Sequence, residues 1–155
     1  MKKKILIGCG TIVLVLIIVF ISFIIWFDNM ISDNLSKKEI VELVNDNYLI
    51  ILDDINENDF TDTNNIDGVK EVYHDSDVID VYCGGRGIGS ATSYYGFYYS
   101  PDDLPKDAWC GSSFGRTFDE LKPEGKGFAI KYSNDDNCYY TERIRDNFYY
   151  YEAHF

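Results

Sequence analysis

The sequence predicts an α+β protein: an N-terminal transmembrane helix, then an amphipathic helix packed on a mainly antiparallel β-sheet. Three observations carry this reading. Residues 5–27 hold no charged side chain and follow Lys2, Lys3 and Lys4; residues 40–55 repeat apolar side chains at three- and four-residue steps; and beyond residue 68 short aromatic and β-branched runs alternate with Gly, Pro, Asn and Asp clusters.

The first element is the apolar run at 5–27. Seventeen of its 23 positions are Ile, Leu, Val or Phe, and at roughly −0.3 to −0.6 kcal/mol each near a helix centre they favour insertion by about 5 to 10 kcal/mol. As a helix the run reaches about 35 Å, enough for a hydrocarbon layer of about 30 Å with some tilt. The lysine triplet assigns residues 1–4 to a cytoplasmic tail and the rest of the chain to the outside of the cell membrane, crossed once. A cleavable signal peptide has a shorter apolar core followed by small residues, and Met30-Ile31-Ser32 offers no such site, so the run reads as a retained signal anchor in contact with membrane lipid. Leu6-Ile7-Gly8-Cys9 looks like a lipobox, but the apolar segment follows the cysteine instead of preceding it.

Residues 28–35 form a juxtamembrane linker whose eight residues reach about 26 Å when extended, which keeps the domain at 36–155 close to the bilayer. Ser36-Lys37-Lys38-Glu39 has capping-box spacing, with Leu35 and Ile40 as a hydrophobic staple. Ile40, Leu43, Val44, Tyr48, Ile51, Leu52 and Ile55 then predict one face of a single helix of about 20 residues. Residues 56–68, rich in Asn, Asp and Thr, read as a loop. Strands are expected at 69–73, 78–83, 93–99, 127–132, 138–144 and 148–153, with turns at Ser100–Asp103, Pro123–Gly125 and Ser133–Asn137. In the strand at 78–83, Ile79, Val81 and Cys83 face a core, while Val78, Asp80 and Tyr82 face a wetter side.

Charge narrows the partners. All 26 acidic residues lie beyond residue 27, against 11 of the 14 basic ones, a formal charge of −15 for residues 28–155. Such a surface is repelled by nucleic acid, phospholipid headgroups and anionic polymers, and favours cations or a basic protein. Cys83, Cys110 and Cys138 lie outside the anchor; three thiols permit at most one intramolecular bridge, with its pairing open.

Several motifs fall short of the chemistry they suggest. Gly84-Gly85-Arg86-Gly87-Ile88-Gly89-Ser90 lacks the Lys and Ser or Thr of a phosphate loop and precedes a strand, so it reads as a β-connection or bulge in which Arg86 is the one strong cationic donor. The stretch from Thr63 lacks both strongest ligands of a calcium loop, at Thr63 and His74. Asp102, Asp103 and Asp107, or Asp75, Asp77 and Asp80, match solvated turns as well as an ion site. His74 and His154 are the only histidines, and no local motif joins either to Cys83. No catalytic residue, metal or cofactor is assigned.

All 13 tyrosines follow the anchor, largely as adjacent pairs and one triplet. Neighbouring strand residues face opposite sides, so each pair puts one ring on each sheet face. Half of the rings are expected in the core and half on the second face, where they could anchor an interface. Tyr95, Phe97, Tyr99 and Tyr150, with Arg86, are the binding candidates. The segments Tyr82–Gly85, Tyr94–Asp103, Tyr139–Ile144 and Phe148–Glu152 resemble a group of small membrane-anchored or exported proteins of Gram-positive bacteria; the resemblance covers about half of the chain and implies no activity. The expectation is a membrane-tethered, extracytoplasmic, non-catalytic binding module with a protein partner. Beside it stand a membrane-tethered hydrolase of cell-wall material or peptides and an immunity-type protein that neutralises a basic toxin.

Overall fold

A computed structural model describes residues 14–27, 35–75, 78–88, 91–106, 121–131 and 138–154, and the chain divides into two units, residues 1–33 and 34–155. In the first unit residues 14–27 form helix α1. Its apolar side chains stand out on every side, with Leu16 63 % and Phe20 65 % exposed. At about 1.5 Å per residue these 14 positions rise about 21 Å, and among the described residues no helix is long and apolar enough to cross a membrane. The remainder of the expected span, 5–13, lies outside the described residues.

The second unit is α+β: helices first, then a seven-stranded antiparallel sheet. Helix α2 (Lys37–Asp46) opens with the expected capping box, in which Ser36 N–H donates to Glu39 Oε2 at 2.7 Å and Glu39 N–H to Ser36 Oγ at 3.4 Å. The expected single helix is broken at Asn47. Both the backbone N–H and the side-chain Nδ2 of Asn47 donate to Leu43 O, at 3.0 and 2.9 Å, and its ψ of 14° leaves the helical range. Asparagine competes in this way for helix carbonyls, so the chain restarts as α3 (Tyr48–Glu57). Residues 56–68, read from sequence as loop, contain a short helix α4 (Thr61–Asn64). It is anchored by the buried Asp54, whose Oδ2 accepts from Thr63 N–H at 2.7 Å.

The strands are β1 (Glu71–Asp75), β2 (Val78–Ile88), β3 (Ala91–Tyr99), β4 (Lys122–Glu124), β5 (Gly127–Lys131), β6 (Cys138–Arg145) and β7 (Phe148–His154), in the spatial order β1-β2-β3-β7-β6-β5-β4. Strand β4 was not expected; it is three residues long and carries Pro123, which an edge position tolerates because its outer side needs no ladder donor. Residues 84–88 of the glycine-rich run are part of β2, and a bulge falls between Tyr82 and Gly84, consistent with the expected bulge. The Ser100 turn forms, with Asp103 N–H donating to Ser100 O at 3.0 Å, and it is tied to the β6–β7 turn through Ser100 N–H to Asn147 O and Asn147 N–H to Asp103 Oδ1, both 2.8 Å. The expected 133–137 loop lies outside the described residues.

Both faces of the sheet carry a core. On the first face Ile40, Leu43, Val44 and Ile51 of α2 and α3 pack on Val81, Cys83, Phe97, Phe148 and Tyr150. The second face is not the wetter surface anticipated from sequence: Tyr98, Tyr139, Tyr149, Tyr151 and Ala153 form a second buried cluster. Its rings stack in pairs, Tyr98 on Tyr149 at 5.3 Å and Tyr139 on Tyr151 at 6.1 Å. The segment after the Ser100 turn supplies polar partners there. Lys106 N–H donates to the Tyr98 hydroxyl at 2.7 Å, the Tyr139 hydroxyl donates to Lys106 O at 2.8 Å, and the Tyr149 hydroxyl donates to Asp103 O at 2.7 Å. Because Thr141 Oγ1 donates to Tyr150 O at 2.9 Å, its 2.8 Å contact with the Tyr98 hydroxyl is one in which tyrosine donates. Buried phenols become affordable only through such partners.

Candidate functional site

Three successive cross-strand rows of the first face, set by the ladder register, lead to the site. Val81, Phe97, Tyr150 and Glu142 form one; Tyr95, Glu152 and Tyr140 the next; Arg86, Ser93, His154 and Cys138 the last. Residues opposite one another across antiparallel strands share a face, so each row presents its side chains together. Val81, Phe97 and Tyr150 of the first row lie in the core beneath α2 and α3, while Glu142 is half-buried at its end. Tyr95, Glu152, Tyr140, Ser93, His154 and Cys138 are half-buried and make a polar shelf.

Lys37, from the first turn of α2, marks the border. Its ammonium pairs with Glu142 and lies 5.2 and 5.3 Å from the ring centres of Tyr140 and Tyr150. Burial pushes the Glu142 carboxyl up, but hydrogen bonds from Lys37 and Tyr140 outweigh it and hold the group below its ordinary value. Burial and the neighbouring Glu142 push the Tyr140 phenol up to about 12, and burial with Glu152 raises that of Tyr150 further. At neutral pH the carboxylate is therefore charged and both phenols keep their protons.

Farther along the shelf three side chains form a continuous relay. Ser93 Oγ lies 2.6 Å from His154 Nδ1, and His154 Nε2 lies 2.8 Å from Glu152 Oε1. The other oxygen of Glu152 accepts from the Tyr150 hydroxyl at 3.3 Å. Donation of Nε2–H to the carboxylate leaves the Nδ1 lone pair directed at the serine hydroxyl, the arrangement in which imidazole can take a proton. The imidazole side chain is 36 % and the carboxylate side chain 30 % exposed, so the relay is open to solvent on one side.

The structure distributes the sequence-derived candidates unevenly. Phe97 and Tyr150 are buried in the core, 0 % and 2 % exposed. Tyr99 is half-buried, on the far side of Phe97, with its ring 5.2 Å from Phe148. Tyr95 lies on the shelf, and Arg86 is exposed on β2 directly opposite Ser93. Cys83 is a free thiol buried at the β2 bulge and pushed up to about 12 by burial, and no bridge joins it to Cys138; Cys110 lies outside the described residues. Among the described residues no three metal-ligating side chains gather.

Ser93, His154 and Glu152 were missed as a unit. Glu152 and His154 are two apart in one strand and so share a face, which was readable; Ser93 is 61 positions from His154 and joins them only through the β3–β7 pairing. Compared with known proteins, the chain matches no family model, no curated protein and no solved structure.

Proposed function

We propose that this chain is a single-pass membrane protein with its N-terminus in the cytoplasm, whose acidic α+β domain stands just outside the cell and engages a protein partner through the polar shelf. The observation that carries the reading is α1, whose apolar side chains are exposed around its whole circumference. In water, large apolar side chains open to solvent on all sides are unfavourable at about 25 cal/mol per Å². In lipid the same surface is solvated, and the sequence at 5–13 carries no charge between the lysine triplet and α1. A charge of −15 beyond the anchor and the Glu152 carboxylate on the shelf favour a basic partner.

Fractionation tests the placement. The chain should remain with membranes through alkaline carbonate extraction, and protease added to intact cells should remove the tyrosine-rich domain. Recovery in the carbonate supernatant, or a domain untouched by external protease, refutes it.

A further inference from the structure

We propose that Ser93 is a nucleophile for acyl transfer, with His154 as its base, Glu152 as the residue that positions the base, and Arg86 facing the charge that develops on the substrate. The 2.6 Å contact places the serine proton within reach of His154 Nδ1, and the 2.8 Å contact on the other ring nitrogen fixes the tautomer that can accept it. The Tyr150 hydroxyl, on the buried side, holds the second oxygen of Glu152 and restricts its rotation.

The ladder sets the geometry of the electrophile. Ser93 is paired on one side with Arg86 and on the other with His154, so the three side chains rise from neighbouring positions on one face. Strand β3 is paired on both sides, which commits its backbone N–H groups to the sheet, and the developing oxyanion therefore falls to the Arg86 guanidinium instead of a backbone cradle. Glu142 and Glu152 nearby disfavour anionic substrates, so the class assigned is a neutral or cationic carboxylic ester.

The reaction balances with water alone. Ser93 Oγ forms a bond to the carbonyl carbon as its proton passes to His154 Nδ1; the carbon–oxygen bond to the leaving alcohol breaks, and the alcohol departs with that proton. Water then attacks the acyl-serine, gives a proton to His154, and the acid leaves as Ser93 recovers its hydrogen. One water is consumed per ester cleaved.

This assignment does not rest on the membrane placement, because it is read on the full chain in neutral detergent. A fluorophosphonate probe, which forms a serine–phosphorus bond with loss of fluoride, is followed by peptide mass spectrometry, and p-nitrophenyl acetate reports turnover. The label should map to Ser93 and vanish in Ser93→Ala. His154→Gln should slow labelling by about 100-fold or more. Glu152→Gln should slow it between about 10- and 10⁴-fold, and Glu152→Asp, which keeps the carboxylate, should recover part of that loss, which a merely structural role would not predict. Asp53→Asn on α3, far along the chain, should match wild type, and circular dichroism confirms that each variant is folded. Absence of label on the folded wild-type chain, label on another residue, or equal labelling of Ser93→Ala overturns the proposal.

Discussion

Replacing Gly96 by alanine probes the second core at its tightest point. A Cβ built there lies 2.3 Å from Val81 O and 2.8 Å from both Cε1 and the hydroxyl oxygen of Tyr151. The first neighbour is ladder backbone and the second a fully buried ring, 0 % exposed, so neither can retreat cheaply. Overpacking of this kind costs about 1–3 kcal/mol, and two rigid neighbours put the expectation at the upper end, about 3 kcal/mol. For a domain of this size that is a fall in melting temperature of about 10 °C. The comparison is Gly125→Ala in the β4–β5 turn. There φ is +60° and no atom lies within 4 Å of the added methyl, leaving only the left-handed backbone cost of about 1 kcal/mol. Thermal unfolding of the full chain in detergent, followed by near-ultraviolet circular dichroism from the tyrosines, reads both. If Gly96→Ala melts no lower than Gly125→Ala, Tyr151 does not lie over β3 as described.

Two further outcomes follow from the polar contacts. Tyr98→Phe removes a donor to Thr141 and an acceptor for Lys106 N–H, and should cost about 1–3 kcal/mol in urea unfolding; a change below about 0.5 kcal/mol would mean that water reaches these groups. Lys37→Met keeps the aliphatic stem but loses the ammonium over two rings, and because Lys37 is 43 % exposed the expected cost at pH 7 is only about 0.5–1 kcal/mol. The carboxyl of Glu142 is held below its ordinary value of about 4.5 in the folded chain, so its pairing stabilises above about pH 4.5 and is lost as pH falls through the folded value. The gap between wild type and Lys37→Met should therefore narrow as Glu142 is protonated; a gap that acid leaves unchanged assigns the effect to the rings and the packing instead of the Glu142 pair.

Local chemistry made much of this fold legible. The Ser36 capping box and six of the seven strands could be read because caps, turns and alternation are written within a few residues of one another. Asn47 escaped notice because its break depends on a side chain turning back to Leu43, against an uninterrupted apolar periodicity. The second core escaped because nothing local distinguishes a tyrosine on a solvated face from one whose hydroxyl meets a distant backbone group. Tyr98 finds Lys106, and Tyr139 finds the same residue from 33 positions away. The shelf was half visible: Arg86 and Tyr95 could be picked as unusual side chains, whereas Ser93 is an ordinary strand residue until β7 comes to lie beside it.

That pairing has a consequence for how the domain is made. Strands β1 to β3 are joined to one another by neighbouring hairpins, and so are β4 to β7, while the two sets meet along the single β3–β7 ladder. Closing it brings together segments some fifty positions apart, an entropic cost that local pairing does not carry. Strand β7 follows the other six strands in the chain yet occupies the middle of the sheet, so the flanks can pair before it is made, and the seam, with the serine–histidine pairing, closes only once β7 is available.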